Sequence, residues 1–457
     1  MGNYFGTDGV RGVANVELTP ELVYKLGRAG AYVLTKHTNH TAKIIVGMDT
    51  RISGDMLESA LIAGICSVGA HAVSLGIVPT PAVAYLVRKY NADAGVVISA
   101  SHNPVQDNGI KFFNSQGFKL RDEIENEIET YMTDKWEEIP RPYGDKVGAK
   151  TLGEEAIDDY VDFLVSSTDI KLDGIKLAID CANGATYKAA PMALERLGAE
   201  VVAIHREPDG TNINLNCGST HMEDLCQFVK ENDDIQLGIA FDGDGDRCLA
   251  CDGNGNMVDG DVVMAICAKH MKDNGKLKNN TIVATVMSNM GLFKMGRENG
   301  IKVERTKVGD RYVLEHILEN GDCFGGEQSG HIIFFDYNTT GDGTLTAIQL
   351  LTTLKKQNQT LEEAKKIMEV FPQVLVNARV DNKRKKEYLS NETIKAEIEK
   401  LESKFSGEGR VLIRPSGTEP IVRVMIEGRD QSVLKEEAER LARLIEGLLS
   451  KSCKSFG

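Results

Sequence analysis

The sequence predicts an α/β protein: three similar α/β domains followed by a smaller C-terminal α+β domain. Two observations carry this. Short apolar runs alternate with amphipathic stretches through most of the chain, as strand–helix crossover units require. One pattern also occurs three times, an apolar strand running into a small polar turn and then a helix, at Gly47-Met-Asp-Thr-Arg51, Asp180-Cys-Ala-Asn-Gly184 and Met287-Ser-Asn-Met-Gly291. The strands before these turns begin near 44, 176 and 281, which is domain spacing and not solenoid spacing. A chain of 457 residues has room for two to four domains.

In order along the chain, the first helix starts at Pro20 behind an N-cap at Thr19, with Leu22, Val23, Leu26 and Val33 on one face. Strands are expected at 44–47, 96–98, 176–179, 237–240 and 282–286. Residues 59–87 contain no Lys, Arg, Asp or Glu and are long enough to cross a bilayer. Gly64, Gly69, His71, Gly76, Pro79 and Pro81 interrupt them, so they read as a buried helix followed by a strand over 71–78. Past the charged stretch 381–386, the expected order is a helix over 391–404, strands over 410–413 and 421–427, and a helix over 432–449. The last has Leu434, Ala438, Leu441, Leu444, Ile445 and Leu448 on one face. The expected domain limits are 1–155, 156–255, 256–370 and 371–457.

Composition narrows the function. With 42% hydrophobic and 26% charged residues the chain is an ordinary globular protein, not a disordered one. A net charge of −14 argues against nucleic acid as a partner, but says little about a single cleft. Nine scattered cysteines fit reduced thiols in a cytoplasm better than a disulfide framework. Cys248 and Cys251 have C-x-x-C spacing but fall on a strand, which sends them to opposite faces. They read as buried thiols. The N-terminal residues lack the basic and apolar regions of a signal peptide, so neither export nor a membrane anchor is expected.

Four loops carry chemistry. In Phe241-Asp-Gly-Asp-Gly-Asp-Arg247, directly after a strand, Asp242, Asp244 and Asp246 alternate with glycines and can turn their carboxylates to one point. Hard oxygen donors favour Mg²⁺. An EF-hand is excluded by Arg247 at loop position six and Gly253 where the bidentate Glu belongs. Arg247 would suit a phosphate or sugar oxygen. In Ser99-Ala-Ser-His-Asn-Pro104, Ser101 beside a Mg²⁺ cluster makes sense as a phosphoryl carrier, since no nucleophile elbow is present. In Arg414-Pro-Ser-Gly-Thr-Glu-Pro-Ile-Val-Arg423, Ser416, Gly417 and Thr418 can donate to phosphate oxygens while Arg414 and Arg423 add charge. In Gly325-Gly-Glu-Gln-Ser-Gly-His331, Glu327 and Ser329 have the spacing to grip neighbouring sugar hydroxyls. Two further turns hold basic residues, Arg11 in 6–11 and Lys307 and Arg311 in 306–311.

Together, and in this order, the loops resemble those of the α-D-phosphohexomutase superfamily, over essentially the whole chain. Phe5-Gly-Thr-Asp-Gly-Val-Arg-Gly12, Asn212-Ile-Asn-Leu-Asn-Cys-Gly-Ser-Thr-His221 and Gln328 look like its amino-sugar branch. The resemblance implies four domains around a central active-site cleft. It also implies an isomerase that moves a phosphoryl group between the 6- and 1-positions of a hexosamine phosphate, on the route to UDP-N-acetylglucosamine and cell-wall polymers. Phospho-Ser101 would give its phosphoryl group to the sugar, the bisphosphorylated sugar would turn over, and Ser101 would take the other phosphate back. Mg²⁺ would sit on Asp242, Asp244, Asp246 and the Ser101 phosphate. Lys111 resembles the family's general acid/base, with a pKa expected to be lowered by nearby cations and the metal. His102 and His331 are the runners-up and Arg11 an assistant. The fourth-domain loop would hold the phosphate that is not reacting, and the family leaves a homodimer open. The alternatives are the glucose- and mannose-phosphate branch, a Mg²⁺ phosphatase using Asp242 as nucleophile, and a sugar-phosphate binder without catalysis.

Overall fold

Thr19 Oγ1 accepts a hydrogen bond from Leu22 N at 3.3 Å, and the helix Pro20–Thr35 begins where the sequence places it. This is a computed structural model, which describes residues 4–6, 8–405, 407, 409–416 and 420–450. The chain divides into two units, Met1–Ser288 with Glu298–Ile367, and Asn289–Arg297 with Met368–Gly457.

Three sheets lie in the first unit. The first joins β1 (Val10–Val13), β2 (Lys43–Met48), β3 (His71–Ile77), β4 (Ala94–Ile98), β5 (Asp107–Asn114) and β6 (Lys150–Leu152) in the order β1-β5-β4-β2-β3-β6. The second joins β7 (Lys176–Asp180), β8 (Glu200–Ile204), β9 (Leu237–Phe241), β10 (Cys248–Asp252) and β11 (Met257–Val258) in the order β11-β10-β9-β7-β8. The third joins β12 (Thr281–Thr285), β13 (Lys302–Thr306), β14 (Phe324–Gly326) and β15 (Ile332–Phe334) in the order β13-β12-β14-β15.

Their pairing reveals one repeated core. A central strand (β2, β7, β12) has a parallel neighbour on each side, and an antiparallel strand lies outside one of those neighbours. The turn that follows each central strand is the one repeated in the sequence. The connection from the outer parallel strand to its antiparallel partner also occurs three times, as β4–β5, β9–β10 and β14–β15. Those three connections hold Ser101, the aspartate triad and Glu327. The strands leading into them, β4, β9 and β14, are buried along their whole length, so the loops stand on rigid supports.

The charge-free segment 59–87 resolves into the end of a helix, Gly54–Cys66, then β3 and the start of a second helix, Thr80–Lys89. Among the described residues no helix is long and apolar enough to cross a membrane. The eight described cysteines are free thiols, and Cys248 and Cys251 are buried.

In the second unit β16 (Gln373–Arg379), β17 (Arg410–Pro415) and β18 (Ile421–Glu427) form an antiparallel sheet in the order β16-β18-β17. The helices Glu392–Lys404 and Gln431–Leu449 pack on it through Ile394, Leu401, Leu434, Leu441 and Ile445. Strand β16 was not among the expected elements. It follows Pro372 directly, and its Val374, Val376 and Ala378 alternate toward the core.

Candidate active site

The loop after β4 is built around a buried ion pair. Arg51 Nε lies 2.9 Å from Asp49 Oδ2, and both side chains are fully buried. Asp49 Oδ2 also accepts from Ser99 Oγ at 2.6 Å, and Ser99 Oγ in turn accepts from Ser101 N at 3.0 Å. Arg51 donates to the carbonyls of Ser101, Asn103 and Pro104 at 2.9, 2.8 and 2.6 Å. Asn214 Nδ2 donates to two of the same carbonyls, those of Ser101 and Asn103. This network holds Ser101 at φ +53°, a left-handed conformation that a serine keeps only when its surroundings impose it. Its hydroxyl donates to Asp242 Oδ2 at 2.7 Å and lies 3.3 Å from His102 Nδ1.

The loop after β9 brings Asp242, Asp244 and Asp246 together, one carboxylate oxygen of each lying within 4.8 Å of the others. Gly243 makes the approach possible, because a Cβ there would come within 2.6 Å of Ser101 O. All three aspartates are buried. Burial, with Asp246 and Asp244 as neighbours, pushes the Asp242 carboxyl well above the usual range. Asp244 goes the other way: burial opposes its charge, but the Lys111 ammonium at 2.9 Å outweighs it. Oδ1 of Asp244 and Oδ1 of Asp246 are buried without a hydrogen-bond partner. Three desolvated carboxylates with orphaned oxygens fit a divalent cation, and oxygen donors alone suit a hard one.

The loop after β14 is zipped onto the loop after β9. Arg247 and His331 form an antiparallel bridge, and Cys248 N donates to Gly330 O at 3.0 Å. His331 is buried with both ring nitrogens unpaired, its Nε2 3.6 Å from Asp310 Oδ2 and 3.8 Å from Asp246 Oδ2. A Cβ at Gly341 would meet that ring at 2.5 Å. Glu327 accepts from Gly309 N at 3.0 Å. Arg247 is kept charged: the triad and Glu327 outweigh the opposing effect of burial.

These loops enclose a cavity of about 650 Å³, the scale of a small polar ligand. Ser101, His102, Arg11, Arg247, Glu327 and His331 all line it. Lys111, on β5, is buried beneath, between Asp244 and Asp8. The protein's own groups alone do not lower its pKa. Burial pulls it down, but Asp244 and Asp8 more than compensate, and the ammonium is held charged. His102 is pushed down to about 4 by burial and by Arg247 and Arg11, so it is neutral at pH 7.

Five residues of the site escaped the sequence reading. Lys119 donates to Asp8 and to Asp310, 2.6 Å each, and so ties the N-terminal turn to the third sheet's domain. Asp8 also pairs with Arg11. Arg51 and Asn214 carry the serine loop. The turns holding Asp8, Asp310 and Arg51 had been marked for other residues or as repeats; nothing local distinguished the three themselves.

Other expected residues lie elsewhere. Lys307 is exposed, over the Tyr312 ring at 5.4 Å, and does not line the cavity. Arg311 reaches the cavity rim but pairs with Asp122 and Glu315. Ser329 is on the sugar-loop turn and is not a cavity residue. In the second unit, Arg414 and Arg423 sit directly opposite each other on β17 and β18. Two guanidiniums on one face are a natural anion cradle. Ser416 N donates to Ile421 O at 2.9 Å, and Lys385 Nζ donates to Ser416 O at 2.6 Å. Gly417 and Thr418 lie outside the described residues.

A serine presented to an acidic triad beside a cation-lined cavity is equipment for moving a phosphoryl group. The chain belongs to the phosphoglucomutase/phosphomannomutase family and is a mutase: the family's α/β/α domains I, II and III match residues 2–138, 158–255 and 259–371, and its C-terminal domain matches 375–444. A phosphoglucosamine mutase of Ruminiclostridium cellulolyticum is 62% identical over 98% of this chain and 100% of its own length. Two solved structures share the fold. A phosphoglucomutase/phosphomannomutase family protein of Burkholderia thailandensis superposes with a TM-score of 0.79 at 24% identity, covering 96% of each chain. The N-acetylphosphoglucosamine mutase of Aspergillus fumigatus, solved with GlcNAc-6P and magnesium, superposes with a TM-score of 0.71 at 17% identity, covering 98% of this chain and 96% of that one.

Proposed function

We propose that the chain interconverts glucosamine 6-phosphate and glucosamine 1-phosphate, the activity named for its Ruminiclostridium relative. The observation that carries the reading is Ser101 Oγ, held 2.7 Å from Asp242 at the wall of the cavity. In the first half-reaction the bond from phosphorus to Ser101 Oγ breaks and a bond to the free sugar hydroxyl forms. The hydroxyl gives up its proton and Ser101 Oγ regains one. The bisphosphorylated sugar then turns, and its other phosphoryl group returns to Ser101.

Lys111 is charged and buried next to the triad, which makes it the proton donor at hand. His102 stays neutral, and its Nδ1, 3.3 Å from Ser101 Oγ, is an alternative acceptor for the hydroxyl proton when Asp242 holds a cation instead. Arg247 and Arg11 offer charge to phosphate oxygens, and Glu327 an acceptor to a sugar hydroxyl. Asp242, Asp244 and Asp246, with the Ser101 phosphate, would hold Mg²⁺, which supplies neutralisation of the charge on the transferring phosphoryl oxygens. In the second unit Arg414, Ser416 and Arg423 are read as phosphate ligands. The free thiols of the eight described cysteines suit a reducing cytoplasm.

A phosphatase with Asp242 as nucleophile is disfavoured, because Ser101 lines the cavity and Asp242 does not. The test is relative kcat/KM on glucosamine 6-phosphate, glucose 6-phosphate and mannose 6-phosphate. The amino sugar should rank first; were it to rank last, the substrate assignment fails while the family assignment stands.

A further inference from the structure

The repeated core places an aspartate at the carboxyl end of the central strand in two domains, Asp49 after β2 and Asp180 at the end of β7. The two are balanced differently. Asp49 has Arg51 against it. Asp180 is fully buried and, among the described residues, has no Lys or Arg within ion-pair distance; its partner is His205. Oδ1 accepts from Ala182 N and Oδ2 from Gly218 N, 2.8 Å each, which fixes the carboxylate. His205 Nδ1 lies 3.0 Å from Oδ2, off the line of a good hydrogen bond but close enough that the Asp180 carboxylate raises the imidazole's pKa. Cys217, with no exposed surface, completes the group: one donor atom of each residue lies within 4.8 Å of the other two. His205 is held at φ +45°, a strained conformation for a histidine.

We propose that Asp180, His205 and Cys217 form a second metal site, distinct from the aspartate triad and selective for a thiophilic divalent ion, Zn²⁺ by chemistry, with water in the fourth position. Oxygen, nitrogen and sulfur donors together are a zinc set, whereas Mg²⁺ does not take thiolate. The edges of a zinc tetrahedron are about 3.2–3.8 Å from the usual Zn–N and Zn–S lengths, so donors within 4.8 Å of one another need close by at most about 1.0–1.6 Å. Binding releases the Cys217 thiol proton to solvent. A proton on His205 Nδ1, which the Asp180 carboxylate favours, leaves with it, and the carboxylate and thiolate then cancel the dication. Nε2 of His205 faces Asp224 Oδ2 at 3.8 Å, the outer carboxylate that ligating histidines commonly have. The segment between His205 and Cys217 contains Asn214, whose side chain holds the carbonyls of Ser101 and Asn103. The ion therefore braces the serine loop from behind.

The test needs no turnover, so it is independent of the substrate reading. The full-length protein is stripped with chelator, kept in excess MgCl₂ to occupy the aspartate triad, and titrated with Co²⁺. One equivalent should bind with a thiolate-to-metal charge-transfer absorption in the near ultraviolet and tetrahedral bands in the visible, both bleached by Zn²⁺. Cys217→Ser should abolish the charge-transfer band, and His205→Ala should weaken binding at least tenfold. Cys226→Ser, altering a partly exposed thiol outside the group, should change neither. A wild-type spectrum without thiolate charge transfer overturns the proposal whether or not the variants fold. So does a band that survives Cys217→Ser.

Discussion

The loops after β4 and β9 occupy the same place in two copies of one fold, and they are in opposite electrostatic condition. In the serine loop the carbonyls of Ser101, Asn103 and Pro104 all have donors, and the Asp49 charge is met by Arg51. In the metal loop three buried carboxylates face one another with two oxygens unpaired. The first is complete as folded; the second has the unmet charge that the proposed cation would balance. The contrast separates two jobs of a phosphoryl-transfer site, presenting the carrier oxygen and tolerating concentrated charge.

The sharpest way to break the contrast is Asp242→Asn. It removes one of the three proposed ligands and should cut kcat by about 10³-fold or more. The same change relieves repulsion, so in chelator the variant should melt about 1 °C above wild type, the size of ~1 kcal/mol in a chain of 457 residues. Mg²⁺ at a hundred times its Kd should stabilise wild type by about 2.7 kcal/mol and the variant far less. A variant that melts lower than wild type in chelator would falsify the repulsion argument. Arg51→Lys attacks the other loop. A lysine cannot reproduce the guanidinium fork, so Asp49 and three carbonyls lose partners, at a cost of about 3–5 kcal/mol in stability. A displaced Ser101 should lower kcat by about 10²-fold with KM little changed, read from steady-state kinetics.

A smaller effect comes from behind the metal loop. Asp342 caps the helix Gly343–Gln357, whose Gly343 N donates to Gly245 O at 3.0 Å. Burial pushes the Asp342 carboxyl up to about 6. The folded state therefore holds an extra proton between about pH 4 and pH 6. This group's contribution is whole below its ordinary value and is lost as pH rises through 6. Across that window wild type should lose up to about 3 kcal/mol relative to Asp342→Asn, read by denaturant titration at each pH. A pH-independent difference contradicts the burial argument. Least of all, Lys307→Ala should change kcat/KM by less than about twofold, since its side chain is exposed and off the cavity. A tenfold loss would place Lys307 at the substrate after all.

The signature loops were legible because their chemistry is local: alternating Asp and Gly after an apolar strand, or Ser-His-Asn-Pro at a strand exit, mean something within six residues. The three-fold turn pattern likewise anticipated three related sheets. The shared strand order, and with it the equivalence of the three functional connections, needed the pairing register. Lys119, Asp8 and Asp310 were invisible because their partnership spans 111 and 191 positions and leaves no pattern in either neighbourhood. The direction in which the protein's own groups move Lys111 was hidden for the same reason. Its anionic neighbours, Asp244 and Asp8, lie 133 and 103 positions away, whereas the cations suggested by the motif do not dominate.

The central claim is that Ser101 carries the phosphoryl group, and phosphosite mapping of the purified protein before and after a brief mix with glucosamine 6-phosphate tests it most directly. The account predicts acid-stable phosphate on Ser101 that moves into a sugar bisphosphate on mixing. Hydroxylamine-labile phosphate on Asp242, or phosphoserine that does not exchange with the sugar, would contradict it.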